Sequence, residues 1–149
     1  MVRILGCGNI LMGDDGVGVH VLGELRKMGL DAEILDAGTG GLDLVDLMAG
    51  ADRVILIDAV RCGGEAGTVY RFSEKDIPRG REGVSLHDIG IPHAIELGRT
   101  LHPDRMPSTI VLIGVEIGRS EMGIGLTEKV KGAISVVVEM VKREVNSTR

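Results

Sequence analysis

Four acidic side chains and one imidazole occupy positions from which they could do chemistry together. Asp14 and Asp15 follow the Gly-rich run Gly6-Cys7-Gly8-Asn9-Ile10-Leu11-Met12-Gly13, Asp36 closes an apolar stretch, and Asp58 closes the run Val54-Ile55-Leu56-Ile57. His87 opens an apolar-periodic segment containing Ile89, Ile91, Ala94 and Ile95. An ionised carboxylate at the lip of a buried strand is costly unless it is paired, hydrogen-bonded or bound to a cation. Two carboxylates and an imidazole form a nitrogen and oxygen set suited to a divalent transition metal, with positions left open for water or a substrate group. Such a set can polarise a carbonyl or generate hydroxide. Taken singly, an Asp at a strand end also serves as a turn cap, and a His at a helix start as a surface or capping imidazole. The chemistry therefore depends on convergence.

The elements that must bring about that convergence are those of an open α/β protein. Val2–Cys7 reads as a short buried strand, and the Gly6–Gly13 stretch breaks it before an amphipathic helix from Asp15 to Met28. In that helix Val17, Val21, Leu22 and Leu25 share a face, and Asp14 and Asp15 sit where a helix N-terminus tolerates negative charge. Ala32–Asp36 is a second strand, Ala37–Gly41 a permissive loop, and Leu42–Met48 a short helix. Val54–Ala59 is almost wholly apolar, as a strand buried on both faces of a parallel sheet must be. Thr68–Phe72 alternates and follows strand three through a short Gly-rich link, which predicts an antiparallel or edge strand. Pro78–Gly83 reads as an exposed loop leading to His87, and a helix is expected over Leu86–Leu101. Thr109–Val115 is the last strand, followed by a Gly-rich loop around Gly118–Gly125. Thr127 is the candidate N-cap of a final helix with the stripe Val130, Ile134, Val137, Val138 and Val141. Parallel strands align their carboxyl ends, so Asp15, Asp36 and Asp58 are expected on one rim.

Composition narrows the partners. The chain has 149 residues, 44% of them hydrophobic, enough for one domain, 1–149, with one substantial core. One Phe, one Tyr and no Trp leave no stacking platform for bases, and a net charge of −5 supplies no basic footprint. Nucleic acid is therefore not the expected partner. Cys7 and Cys62 have no paired spacing for zinc or a disulfide framework, so they are expected to be reduced thiols. There is no charged leader, and no apolar run approaches the roughly 18 residues of a membrane span, so a cytoplasmic protein is expected. His20, His93 and His102 read as structural, Cys7 as inert packing, and Arg79 and Arg81 as a solvated basic loop. Ser85 lacks the context of a nucleophile elbow.

The pattern resembles a known family, the hydrogenase maturation endopeptidases that trim the C-terminal extension from the large subunit of nickel-iron hydrogenases. The matching segments, in order, are Gly6–Gly18, Asp36-Ala37-Gly38-Thr39-Gly40-Gly41, Ile57-Asp58-Ala59, Ser85-Leu86-His87-Asp88-Ile89-Gly90, Ile113-Gly114-Val115-Glu116 and Gly123-Ile124-Gly125-Leu126-Thr127. They span nearly the whole chain. The resemblance implies a three-layer α/β sandwich: a five-stranded, mostly parallel twisted sheet with one antiparallel strand, flanked by helices. It implies a nickel site on Asp15, Asp58 and His87, which are also the expected catalytic set, with Asp36, Asn9 and Asp14 in support. Where some relatives carry Glu at the first of these positions, this chain has Asp15, a shorter reach with the same ligand type. The nickel would come with the large-subunit precursor, the expected partner, and act as a recognition element; no nucleic acid, no membrane and a monomeric protein are expected.

Two other readings share parts of the pattern. A dinucleotide-binding oxidoreductase domain would use Gly6-x-Gly8 and an acid ending strand two, but Leu11 stands where the third glycine belongs, and Asp14-Asp15 would repel a pyrophosphate. A non-enzymatic phospho-acceptor receiver domain also pairs acids after strand one with an Asp ending strand three. It needs a Lys after the last strand, where this chain has Gly114-Val115-Glu116.

Overall fold

Short apolar runs punctuated by glycine make the strands, and the computed structural model places five of them in one sheet. The structure describes residues 1–39, 41–79, 90–118 and 122–147. In chain order the elements are β1 (Val2–Cys7), a 3-10 turn (Gly13–Gly16), α1 (Val17–Arg26), β2 (Glu33–Gly38), α2 (Leu42–Met48), β3 (Arg53–Val60) and β4 (Val69–Ser73). A second 3-10 turn (Glu74–Asp76), α3 (Ile91–Leu101), β5 (Thr109–Glu116), α4 (Glu128–Lys131) and α5 (Ile134–Asn146) complete them. The sheet order is β2-β1-β3-β5-β4, parallel throughout except for β4 against β5. This is the expected mostly parallel sheet with one antiparallel strand.

The alternation of side chains across the sheet builds two cores. Ile4, Ile55, Ile57, Val111 and Ile113 face α1 and α5, meeting Val21, Leu22, Leu25, Val137 and Val141. On the other face Leu5, Val54, Leu56, Ile110 and Leu112 meet Leu44, Val45 and Met48 of α2 and Ala94 and Ile95 of α3. Aliphatic side chains fill both layers, and burying each contributes about 1.5–3 kcal/mol of transfer free energy.

Several boundaries differ from the sequence reading. Helix α1 starts at Val17, not Asp15, because the residues before it are drawn into a 3-10 turn whose carboxylates are engaged elsewhere. Strand β2 runs on to Gly38, because a bulge skips Ala37 and pairs Cys7 with Gly38. Helix α3 begins at Ile91 after an extended Gly90, so the expected start at Leu86 is not where this helix begins; residues 86–89 lie outside the described residues. The last helix is two, because Gly132 and Ala133 tighten into a turn between α4 and α5, where Ala133 N–H donates to the Val130 carbonyl at 3.0 Å. Glycine is the poorest helix former after proline, which is why the interruption falls there.

The carboxyl ends of β1, β2, β3 and β5 all emerge on one rim of the sheet. Arg99, in the last turn of α3, bonds Glu74 just past the end of β4, while Arg79 bonds Glu96, nearer the helix start. Since β4 ends beside the beginning of β5, α3 opens on the rim side and runs away from it.

Candidate active site

Close backbone approach puts the first acidic turn on the sheet end. A Cβ at Gly18 would lie 2.2 Å from the Ile57 carbonyl oxygen and 2.4 Å from that of Cys7, so only glycine lets α1 settle on β1 and β3 at this depth. Gly8 has φ +130, and a Cβ there would lie 2.0 Å from the Asp15 carbonyl oxygen. The turn is thereby pressed against the end of β3, where Asp58 sits.

The two neighbouring acids of that turn do different things. Asp14 is buried, and its carboxylate accepts from Thr127 N–H at 2.7 Å and from the Thr127 hydroxyl at 2.8 Å. Thr127 does occupy the N-cap position of α4, but its hydroxyl serves Asp14 rather than capping the helix. Asp14 therefore ties the first loop to the last Gly-rich loop and does not face the rim. Asp15 is half-buried, with its Oδ2 accepting from Asn9 N–H at 3.1 Å. Asn9 supports this arrangement through its backbone, while its side-chain oxygen accepts from Leu11 N–H at 2.9 Å.

Asp58 is the perturbed group. Among the described residues, its Oδ1 accepts the N–H of the next residue, Ala59, at 2.8 Å. Burial, and to a lesser degree the negative charge of Asp15, push its pKa up to about 7 against the lowering effect of the Ala59 N–H. The influence of Asp15 on Asp58 places the two carboxylates in one local field, as the strand alignment demanded. Cys7 lies beneath them, its thiol raised well above the ordinary range by burial and then by the charges of Asp58 and Asp36. It stays protonated and packs, as expected. Asp36 is exposed on the rim, and its Oδ1 accepts from Gly38 N–H at 2.7 Å, an Asx turn that shapes the bulged end of β2. His87, the third member of the expected set, lies outside the described residues, as do Ser85 and Arg81. Among the described residues no three ligand-type side chains gather into a metal site, so the described part of the set is the pair Asp15 and Asp58. His93 is exposed on α3, whereas His20 and His102 are half-buried.

An organising acid beside the rim escaped the sequence reading. Glu116, buried at the end of β5, accepts from the backbone N–H of Cys62 and Gly64 and from the Tyr70 hydroxyl, at 3.0, 3.0 and 2.9 Å. It fixes the β3–β4 link beside the rim. A Glu ending a buried strand was the available signal, but nothing local names donors drawn from a loop and an antiparallel strand.

The open, mostly parallel sheet that carries this rim is an architecture the chain shares with solved proteins. The endopeptidase HybD from Escherichia coli superposes with a TM-score of 0.86 at 29% identity, covering 99% of this chain and 93% of that one. The [NiFe] hydrogenase maturation protease HybD from Thermococcus kodakarensis gives 0.78 at 28%, covering 97% and 98%. The fold thus groups the chain with the α/β endopeptidases. A family model described as hydrogenase maturation protease matches residues 19–144. The chain is 33% identical to the hydrogenase expression/formation protein HupD of Thiocapsa roseopersicina over 93% of its own length and 65% of that protein's. It is 31% identical to the hydrogenase 2 maturation protease of Escherichia coli, over 94% of this chain and 87% of that one. The chain belongs to the hydrogenase maturation protease family, and it is a peptidase. Membership sets aside the dinucleotide-binding and receiver readings.

Proposed function

We propose that this endopeptidase removes the C-terminal extension of a nickel-iron hydrogenase large-subunit precursor after nickel has been inserted, and that Asp15, Asp58 and His87 engage the precursor's nickel. The observation that carries the reading is Asp58, held at a pKa of about 7 by burial and by the charge of Asp15. Two like charges sharing a half-buried rim repel each other, and a divalent cation entering between them relieves that repulsion. Carboxylate and imidazole ligands suit nickel, which remains part of the substrate throughout. A precursor without the metal offers the pair no cation, so the rim reads the maturation state of the large subunit before its tail is cut. When engaged, nickel can also polarise a nearby carbonyl as a Lewis acid. The protein works as a monomer in the cytoplasm, a setting in which the free thiols Cys7 and Cys62 stay reduced. Among the described residues no helix is long and apolar enough to cross a membrane.

The test incubates the protein with nickel-loaded and nickel-free precursor and weighs the products by mass spectrometry. Only the loaded precursor should lose its extension. Asp15→Asn combined with Asp58→Asn should slow trimming by ~100-fold or more, as loss of both anionic ligands of a metal contact does. Equal trimming of both precursors, or an active double variant, would sink the mechanism.

A further inference from the structure

The rim carries an apolar lip beside the acid pair. Two loops form it, joined by main-chain bonds: Gly13 N–H donates to the Gly123 carbonyl at 2.8 Å, and Gly123 N–H donates to the Leu11 carbonyl at 2.9 Å. Met12 and Gly123 thus pair as an isolated parallel bridge, and the Asp14–Thr127 bonds clamp the same two loops a few residues on. This fastening holds large apolar side chains in solvent. Ile10 and Leu11 are 43% and 58% exposed, and Met122 and Ile124, on either side of Gly123, are 88% and 83% exposed. Among the described residues nine large hydrophobics are exposed, and four of them sit on this one pair of loops. Single exposed apolar residues are ordinary, but a cluster rimmed by polar groups marks an interaction surface.

We infer that this lip is where the large-subunit precursor seats its own apolar surface while its extension lies across Asp15 and Asp58. The inference rests on the proposed function, because the occupant follows from the position of the lip. The Asp15 carboxylate accepts the N–H of Asn9, the residue before Ile10 and Leu11, so a polypeptide brought to Asp15 comes up beside these side chains. A second copy of this chain on the lip would cover the rim that the substrate has to reach. The hydrogen bonds between the loops make the lip a preformed contact, so little ordering entropy opposes docking. Met and branched aliphatic side chains adapt to an apolar partner without requiring polar pairing.

The experiment measures steady-state trimming of nickel-loaded precursor by the full-length protein and by Leu11→Glu, Met122→Glu and Ile124→Glu, with Val136→Glu on exposed α5 as a control. The side chains replaced are about half-exposed or more, and thermal melts of each variant verify folding. Each lip variant should raise KM by about tenfold or more with kcat at saturation nearly unchanged, as a charge placed in an apolar contact does. Val136→Glu should change neither. A second arm follows binding of nickel-free precursor by calorimetry, where the lip variants should weaken Kd by a similar factor. Unchanged KM and Kd in all three, or an equal rise from Val136→Glu, overturns the docking surface. So does a wild-type dimer that Met122→Glu dissolves in sedimentation, because that assigns the lip to a second copy. Wild type that binds precursor through the lip yet leaves its tail intact overturns the proposed cleavage and upholds the docking surface. Wild type that neither binds nor cuts overturns both.

Discussion

Glu144 on the flank of the sheet and Asp58 at its carboxyl rim are both carboxylates withdrawn from water, and their surroundings are opposite. Glu144, on α5, receives Arg53 from β3 and Arg71 from β4. Burial pushes its pKa up, but the two guanidinium groups outweigh that and hold it below the usual carboxylate range. Asp14 and Glu116 follow the same pattern with neutral donors, two for Asp14 and three residues' worth for Glu116. Among the described residues Asp58 has one backbone N–H and, in its local field, the anion of Asp15. Folding alone explains an acid surrounded by donors, because the donors offset its desolvation. It does not explain an acid pushed up to about 7 by burial, with the charge of a neighbouring acid adding to the rise. The difference separates acids that hold the protein together from the acid that the proposed function assigns to the precursor's nickel.

The sharpest way to break this division is to remove a structural acid and look for a large loss of stability. Glu144→Gln leaves Arg53, a mostly buried guanidinium, without its counter-charge. Breaking a buried pair costs about 3–5 kcal/mol, and the value here should fall near ~3 kcal/mol because Arg71 is almost half exposed and can turn to water. Urea unfolding at pH 7 measures it, with trimming activity per folded molecule unchanged. A loss below about 0.5 kcal/mol, the range of ordinary surface changes, would move Glu144 out of the structural class.

Asp14 comes next, and it joins the two classes. Asp14→Asn weakens both bonds to Thr127, and a charged acceptor lost from a buried pair costs about 2 kcal/mol. Thr127→Val removes the hydroxyl alone and should cost ~1 kcal/mol, with Thr127→Ser restoring it. Both destabilising variants should also lower trimming, because Asp15 stands next in the clamped turn. Undiminished trimming in a measurably loosened Asp14→Asn protein would show that the clamp does not position Asp15.

Much of this division was legible in the sequence, and the remainder was hidden for a definable reason. The apolar runs of β1, β3 and β5 and the glycines after them announce a parallel sheet with chemistry at its carboxyl ends, and Asp15, Asp36 and Asp58 all emerge on that rim. Asp14 and Asp15 are adjacent and chemically identical, so no local pattern tells which one turns inward. That choice is made by Thr127, 113 residues away along the chain. The bulge at Ala37, the turn at Gly132-Ala133 and the start of α3 after Gly90 are likewise set by tertiary packing or backbone detail. Glu144 escaped notice because its partners come from two strands distant in sequence. His87 was read from its neighbourhood and lies outside the described residues.

The effect of Asp58→Asn is the most discriminating, because its sign is reversed. The Asp58 carboxyl titrates at about 7 in the folded protein, against 3.8 for an ordinary aspartate. Between those values the folded state keeps a proton that the unfolded chain has released. The contribution of Asp58 to stability is therefore fully present below pH 4 and is lost as the pH rises through about 7. Asp58→Asn removes this dependence. A shift of that size corresponds to ~4 kcal/mol, and solvent at the rim screens a large part of it. The variant should thus exceed the wild type by ~1–2 kcal/mol at pH 8 and match it near pH 4, while losing trimming. Asp15→Asn should lower the wild-type pKa of Asp58 and flatten the same profile partway, since the facing charge is gone. Unfolding free energies of the three proteins across pH 4 to 8 decide the matter. A destabilised Asp58→Asn protein at pH 8 would place Asp58 with Glu144 and Asp14, and the rim would then be a structural feature with no acid held in reserve.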